Sequence, residues 1–146
     1  MWEKDIDINQ VREIRTRTLV YFGCGAIGKI EDIARDLKSK GIDKLIVMSG
    51  RNAYKSTGAW DYVEKALKNN GIGYINYDKV TPNPTTKSID EATSMAREFG
   101  AKAVITIGGG SPTDAGKSVA ILLKNDGKNA SDIYEFKFTP TEAAPI

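Results

Sequence analysis

Ile105-Thr106-Ile107-Gly108-Gly109-Gly110-Ser111-Pro112-Thr113-Asp114-Ala115-Gly116-Lys117 is the stretch whose reading decides the fold. A β-prone run, Ala103 to Ile107, feeds three consecutive glycines. Glycine has no Cβ, so it takes positive φ freely and lets a ligand come close to the backbone. Ser111 suits an N-cap, Pro112 the first helical position, and Asp114, three residues on, a capping box. A helix N-terminus facing a glycine-lined gap is a phosphate site: its first N–H groups lack partners and its dipole favours an anion.

Outward from this stretch the chain alternates strand and helix. Thr16–Phe22 reads as a strand. Residues 27–40 read as an amphipathic helix with Gly41 as its stop, and Lys44–Ser49 as a continuous apolar strand. A helix over about 56–69 stops at Asn70-Gly71, followed by a strand, Gly73–Tyr77. The rigid turn Thr81-Pro82-Asn83-Pro84-Thr85 leads into a helix over about 86–99. After Ala103–Ile107 comes a helix from Pro112 to about Lys124, then one helical turn near Ile133–Phe136 and a loop from Thr139 to Ile146. This alternation predicts an α/β, Rossmann-like parallel sheet flanked by helices on both faces. Ligands of such sheets bind beyond the carboxyl ends of the strands. The turns at 23–28, 50–54, 81–85 and 108–114 are therefore expected along one edge. Residues 1–15 read as an N-terminal arm or edge strand, and 16–146 as a dinucleotide-binding domain.

The bulk composition narrows the function classes. A chain of 146 residues suits one domain with a core, and its net charge of +2 argues for neither nucleic acid nor a membrane surface as partner. No apolar run is long enough to span a bilayer, and the first residues lack the apolar core of a signal peptide. With a single cysteine, Cys24, a reduced, cytoplasmic setting is expected. The absence of histidine removes the commonest metal ligand and general base. Cys24 reads as a small packing residue of its turn, and Trp2 and Trp60 as core or interface aromatics. Asp61–Lys65 and Glu64–Lys68 read as helix-surface pairs.

Two other phosphate motifs compete with the triple glycine. Gly23-Cys24-Gly25-Ala26-Ile27-Gly28 spells the dinucleotide fingerprint, whose glycines could equally serve a tight strand-to-helix turn. That fingerprint also wants an acid at the end of the second strand for the ribose hydroxyls. Here the strand ends Ser49-Gly50-Arg51, which suits a 2′-phosphate instead, because no carboxylate repels it and a guanidinium can pair with it. Tyr54 and Lys55 follow Arg51 and either assist there or are solvated loop residues. A P-loop is excluded by spacing: the outer glycine it needs falls on Ser111, and Pro112 removes a cradle N–H.

The motif Gly108-Gly109-Gly110-Ser111-Pro112-x-Asp114-x-x-Lys117, preceded by Val104-Ile105-Thr106-Ile107, resembles the signature loop of iron-containing (group III) alcohol dehydrogenases. Phe22-Gly23-x-Gly25-Ala26 and Pro82-Asn83-Pro84-Thr85 agree in order and spacing, from about Arg15 onward. Glycerol dehydrogenases and dehydroquinate synthases share a similar core. The resemblance implies that Gly108, Gly109, Gly110 and Ser111 seat the cofactor pyrophosphate, with Asp114 nearby and Asn83 close to the nucleotide. It implies that the turn after the second strand selects the cofactor, so Gly50-Arg51 points to NADP, with NAD as the alternative. The family's divalent iron is held by an Asp and histidines of a C-terminal helical domain, and no such ligand can be assigned here. Pro145-Ile146 resembles the start of the strand leading to the next cofactor loop. The chain thus reads as the cofactor domain of a metal-dependent alcohol dehydrogenase, a fragment expected to be inactive alone. Two alternatives are a non-catalytic interaction module, forming a homodimer through the N-terminal arm, and the cofactor domain of a glycerol dehydrogenase-like relative.

Overall fold

The computed structural model describes residues 11–15 and 18–146. Trp2, most of the expected arm and the first two residues of the expected strand Thr16–Phe22 lie outside the described residues. Strand β1 (Arg12–Arg15) pairs antiparallel with β2 (Leu19–Phe22). This corrects the expectation of four parallel strands: β2 belongs to a hairpin and not to the main sheet. The physical reason is legible in its burial. Leu19, Val20 and Phe22 are exposed, whereas a central parallel strand is covered on both faces.

A 3₁₀ turn (Ala26–Lys29) leads into α1 (Ile30–Ser39), and Gly41 at φ 77° ends that helical segment. β3 (Lys44–Ser49) follows, buried at every residue after Lys44. The expected helix over 56–69 is two pieces, α2 (Ala53–Ser56) and α3 (Ala59–Asn69), broken at Gly58 with φ 75°. β4 (Gly73–Tyr77) and α4 (Thr86–Phe99) fall where the periodicity puts them. The Thr85 side chain caps α4 by accepting from the Ser88 N–H at 3.2 Å. β5 (Ala103–Ile107) runs into α5 (Gly110–Leu122), and α6 (Ala130–Tyr134) carries a capping box of Asn129 and Asp132.

The sheet is parallel, with strand order β4-β3-β5. Its two faces hold separate cores. On one, Leu45 and Val47 of β3 meet Ala34 of α1 and Val63, Ala66 and Leu67 of α3. On the other, Ile46 and Met48 meet Ile89, Ala92 and Ala96 of α4 and Ala115, Val119 and Leu122 of α5. Helices on both faces are the predicted arrangement, and period-2 alternation along β3 divides its side chains between them. The frame is locked at several polar points. Tyr74 donates to Glu64 Oε1 at 2.7 Å, which pushes the phenol up to about 12. Arg97 donates to the carbonyl oxygens of Leu122 at 2.6 Å and Asn125 at 3.2 Å, pairing a cation with the carboxyl end of α5. The final residues are tied down as well: Ala144 N donates to Ala120 O and Val104 N to Pro145 O, so the tail begins to cover the free edge of β5.

Candidate functional site

Strand register puts the chemically unusual turns side by side. Ser49 of β3 stands opposite Ile107 of β5, and Met48 opposite Tyr77 of β4. Gly50-Arg51, the 78–85 loop and Gly108–Asp114 therefore leave the sheet at one level of its carboxyl edge. Neighbouring strands lie about 5 Å apart, so the middle turn is within one strand spacing of each flanking loop. The chain leaves β3 for α3 on one face and leaves β4 and β5 for α4 and α5 on the other. Adjacent loops that diverge in this way open a crevice at the strand ends, the place where open α/β sheets bind ligands. Arg51, Asn83, Gly108, Gly109, Gly110 and Asp114 are all exposed there, and Gly50 and Ser111 are half-buried.

The 23–28 turn reaches this end of the molecule by another route. It precedes α1, whose last turn joins the start of β3, so the N-terminus of α1 lies toward the carboxyl ends of the strands. Its glycines serve a 3₁₀ turn after a hairpin, not a βα crossing from the sheet. Cys24 is exposed, which corrects its reading as a packing residue.

The triple glycine divides into two kinds of position. Gly108 has φ 143°, and a Cβ there would stand 2.8 Å from Pro112 Cγ, so the fold itself requires glycine. Gly109 has φ −85°, and a Cβ on it or on Gly110 would meet nothing within 4 Å. Among the described residues nothing forbids a side chain at these two, so the space they leave is free for a ligand. The helix starts two residues earlier than the sequence suggests: Gly109 is the N-cap, and no side chain caps α5. This corrects the capping box of Ser111 and Asp114. Ser111 falls inside the first turn, and Asp114 instead pairs with Lys117 at 3.7 Å on the exposed face. First-turn N–H groups have no intrahelical acceptor, so Gly110 and Ser111 present theirs to the gap, while Pro112 has none. Thr113 is the exception, its N–H reaching Gly109 O at 3.4 Å.

Gly116, counted in the sequence only toward a P-loop, has a different task. A Cβ there would collide with the Thr106 methyl and crowd Ile146 and Val104. Its absence lets α5 lie against β5, which fixes the height of the glycine loop above the sheet. A glycine within an otherwise helical pattern was the available signal.

Around the other two turns, Gly50 faces Val80 O, 3.5 Å from where its Cβ would be, and Val80 N donates to Ser49 O at 3.2 Å. Tyr77, the last residue of β4, donates to Glu91 Oε2 at 3.3 Å, and Lys79 pairs with Glu91 Oε1 at 3.2 Å. Burial, then the Glu91 charge and hydrogen bond, hold the Tyr77 phenol above its ordinary range. These contacts anchor the root of the loop bearing Asn83. Asn83 itself has φ 54°, a left-handed conformation that asparagine tolerates better than most residues. Tyr54 is 3 % exposed and packs edge-on to Trp60. It is a core residue, which corrects both readings given to it. Lys55 lies over its ring at 5.3 Å. Trp60 also meets Tyr74 edge-on, as its structural reading expects, and the Glu64–Lys68 pair forms at 3.1 Å.

The comparisons with known proteins agree with this fold. The family model described as Iron-containing alcohol dehydrogenase matches residues 18–146. The long-chain primary alcohol dehydrogenase AdhA of Thermoanaerobacter ethanolicus is 55% identical over 146 residues, all of this chain and 37% of the relative. NADH-dependent butanol dehydrogenase A of Clostridium acetobutylicum is 34% identical over 88% of this chain and 32% of its own length. Among solved structures, NADH-dependent butanol dehydrogenase A of Thermotoga maritima superposes with a TM-score of 0.76 at 33% identity, covering 86% of this chain and 30% of that one. The chain thus spans about a third of the length of the relatives it matches.

Proposed function

The chain belongs to the iron-containing alcohol dehydrogenase family, and from that premise we propose that it binds NADP(H) in preference to NAD(H) for hydride transfer between an alcohol and its aldehyde. The observation that carries the nucleotide reading is the pair Gly109 and Gly110: two residues the fold does not need as glycine, beside unpaired first-turn N–H groups. The bound cofactor supplies the hydride acceptor or donor at its nicotinamide ring. The chain's own residues bind and orient it. The N–H groups of Gly110 and Ser111 take the pyrophosphate, and the α5 dipole adds to their attraction. Arg51, exposed and with no carboxylate beside it in the turn, takes the 2′-phosphate. The relatives whose names state a cofactor use NADH; the NADP reading rests on Gly50-Arg51 alone. The 55% identical relative makes primary alcohols the substrate class of first choice.

Iron does not fit the residues present. The sequence has no histidine, and among the described residues no three of His, Cys, Asp and Glu converge. Turnover is not expected from this chain by itself.

Calorimetric titration with NADPH and NADH tests the assignment, and absence of binding by either at millimolar concentration overturns it. Arg51→Asp is expected to cost NADPH at least about tenfold, the equivalent of one charge-assisted hydrogen bond, while sparing NADH. An unchanged NADPH-to-NADH ratio refutes the role of Arg51.

A second reading has its own support in the hairpin, where Leu19, Val20 and Phe22, 67 % exposed, leave apolar surface in water. This favours a homodimer formed through the hairpin and the arm before it. Light scattering of the chain with and without residues 1–15 checks it. A monomer in both samples removes the reading.

A further inference from the structure

The loop from β4 to α4 keeps one residue in a conformation that costs free energy. Asn83 is exposed and has φ 54°. It also stands immediately before Pro84, whose ring narrows the backbone choices of the residue ahead of it. Such a conformation persists only where the surrounding structure over-determines it. The structure shows what holds this loop. At its outgoing end, Thr85 is fixed as the N-cap of α4 by the Ser88 N–H. At its incoming end, Val80 is seated in the core and its N–H donates to Ser49 O. The remaining tie is a single carboxylate. Glu91, on the second turn of α4, accepts from the Tyr77 hydroxyl through Oε2 at 3.3 Å and from Lys79 Nζ through Oε1 at 3.2 Å. Tyr77 is the last residue of β4 and Lys79 lies just beyond it, so Glu91 clasps the start of the loop to the helix that ends it. Within the loop, Pro82 and Pro84 fix their own φ angles on either side of Asn83.

We infer that Glu91 is a positioning residue for cofactor binding: by clasping Tyr77 and Lys79 it holds the 78–85 loop so that Asn83 meets the nucleotide. The inference rests on the dinucleotide reading and adds to it a residue of α4 that acts only through Asn83. A loop already held in its binding geometry spares the ligand the entropy of ordering it.

A double-mutant cycle in the full chain, read by calorimetric titration with NADPH, tests this. Glu91→Ala is expected to weaken NADPH about three- to tenfold in the parent background. In the Asn83→Gly background, where the positive φ is tolerated but the side chain is gone, it is expected to cost nothing further. Glu91→Gln keeps an acceptor for the Tyr77 hydroxyl and loses the charge facing Lys79, so it is expected to recover part of the affinity. Should Glu91→Ala fail to fold, Tyr77→Phe, which removes only the hydroxyl, carries the same cycle. Unchanged affinity with a lowered melting temperature overturns the inference, because Glu91 then serves the fold alone. An equal loss with and without the Asn83 side chain overturns it too, as does Asn83→Gly binding like the parent. In each of these cases binding by the parent leaves the dinucleotide reading standing. If the parent binds neither NADPH nor NADH, that reading fails and this inference with it.

Discussion

Two glycine-rich turns in this chain follow a strand and open a helix, and only one lies where the sheet makes a site. The turn at 23–28 spells the more familiar motif, but it leaves a hairpin strand that is exposed along most of its length. The turn at 108–110 leaves β5, a strand of the parallel sheet, and is clamped by Pro112 below and Gly116 one helical stretch later. The difference is in what each glycine touches. Adding a Cβ to Gly25 or Gly28 meets nothing, and adding one to Gly108 or Gly116 meets the core of the loop or the strand beneath. A phosphate motif therefore acquires meaning from the strand that delivers it. The backbone N–H groups can be aimed at a ligand only if the helix behind them is fixed in height and angle.

The largest expected effect on folding follows from that clamp. Gly116→Val forces a branched side chain against Thr106, Val104 and Ile146, all held by β5 or its edge. Overpacking a site bounded by a strand costs about 3 kcal/mol, a large share of the stability of a domain of this size. Denaturant melts should show it directly. Gly108→Ala comes next, at about 1–2 kcal/mol, since its φ of 143° and the Pro112 ring both resist a side chain. If Gly116→Val melts like the parent, α5 does not depend on close approach to β5 and the contrast between the two turns loses its mechanical basis.

Much of this was legible in the sequence, and the losses have specific causes. The parallel direction of β3, β4 and β5 follows from strand–helix alternation, and the apolar periodicity that predicts a helix over about 86–99 matches α4. The hairpin was not legible. Leu19–Phe22 has strand propensity, but propensity does not say which strand it pairs with, and its partner Arg12–Arg15 has no alternation to mark it. The sequence places the start of α5 two residues late, because Ser111 and Pro112 are both good first-turn residues. The clash between Gly108 and Pro112 instead fixes the chain entry, with Gly109 as cap. The burial of Tyr54 is not legible, because a four-residue helix after a polar turn gives no periodicity from which to infer it. The glycine loop itself is legible from its place between a strand and a helix start, but only φ values and steric neighbours separate Gly108 from Gly109 and Gly110.

That separation gives the smallest effect on folding and the sharpest contrast between the turns. Gly28 and Gly110 each have room for a Cβ and no positive φ. Alanine at either position should be neutral or stabilising by about 0.4–1 kcal/mol, through the lost freedom of the unfolded chain. Melts of Gly28→Ala and Gly110→Ala are therefore expected to look alike. Titration with NADPH is expected to divide them: Gly28→Ala binds as the parent does, and Gly110→Ala binds at least about tenfold more weakly, because its methyl group occupies the approach to the pyrophosphate seat. The reverse result, with binding lost at Gly28 and kept at Gly110, would move the phosphate to the turn at 23–28. The N-terminus of α1 would then hold it, and the glycines after β5 would be left with a packing role only.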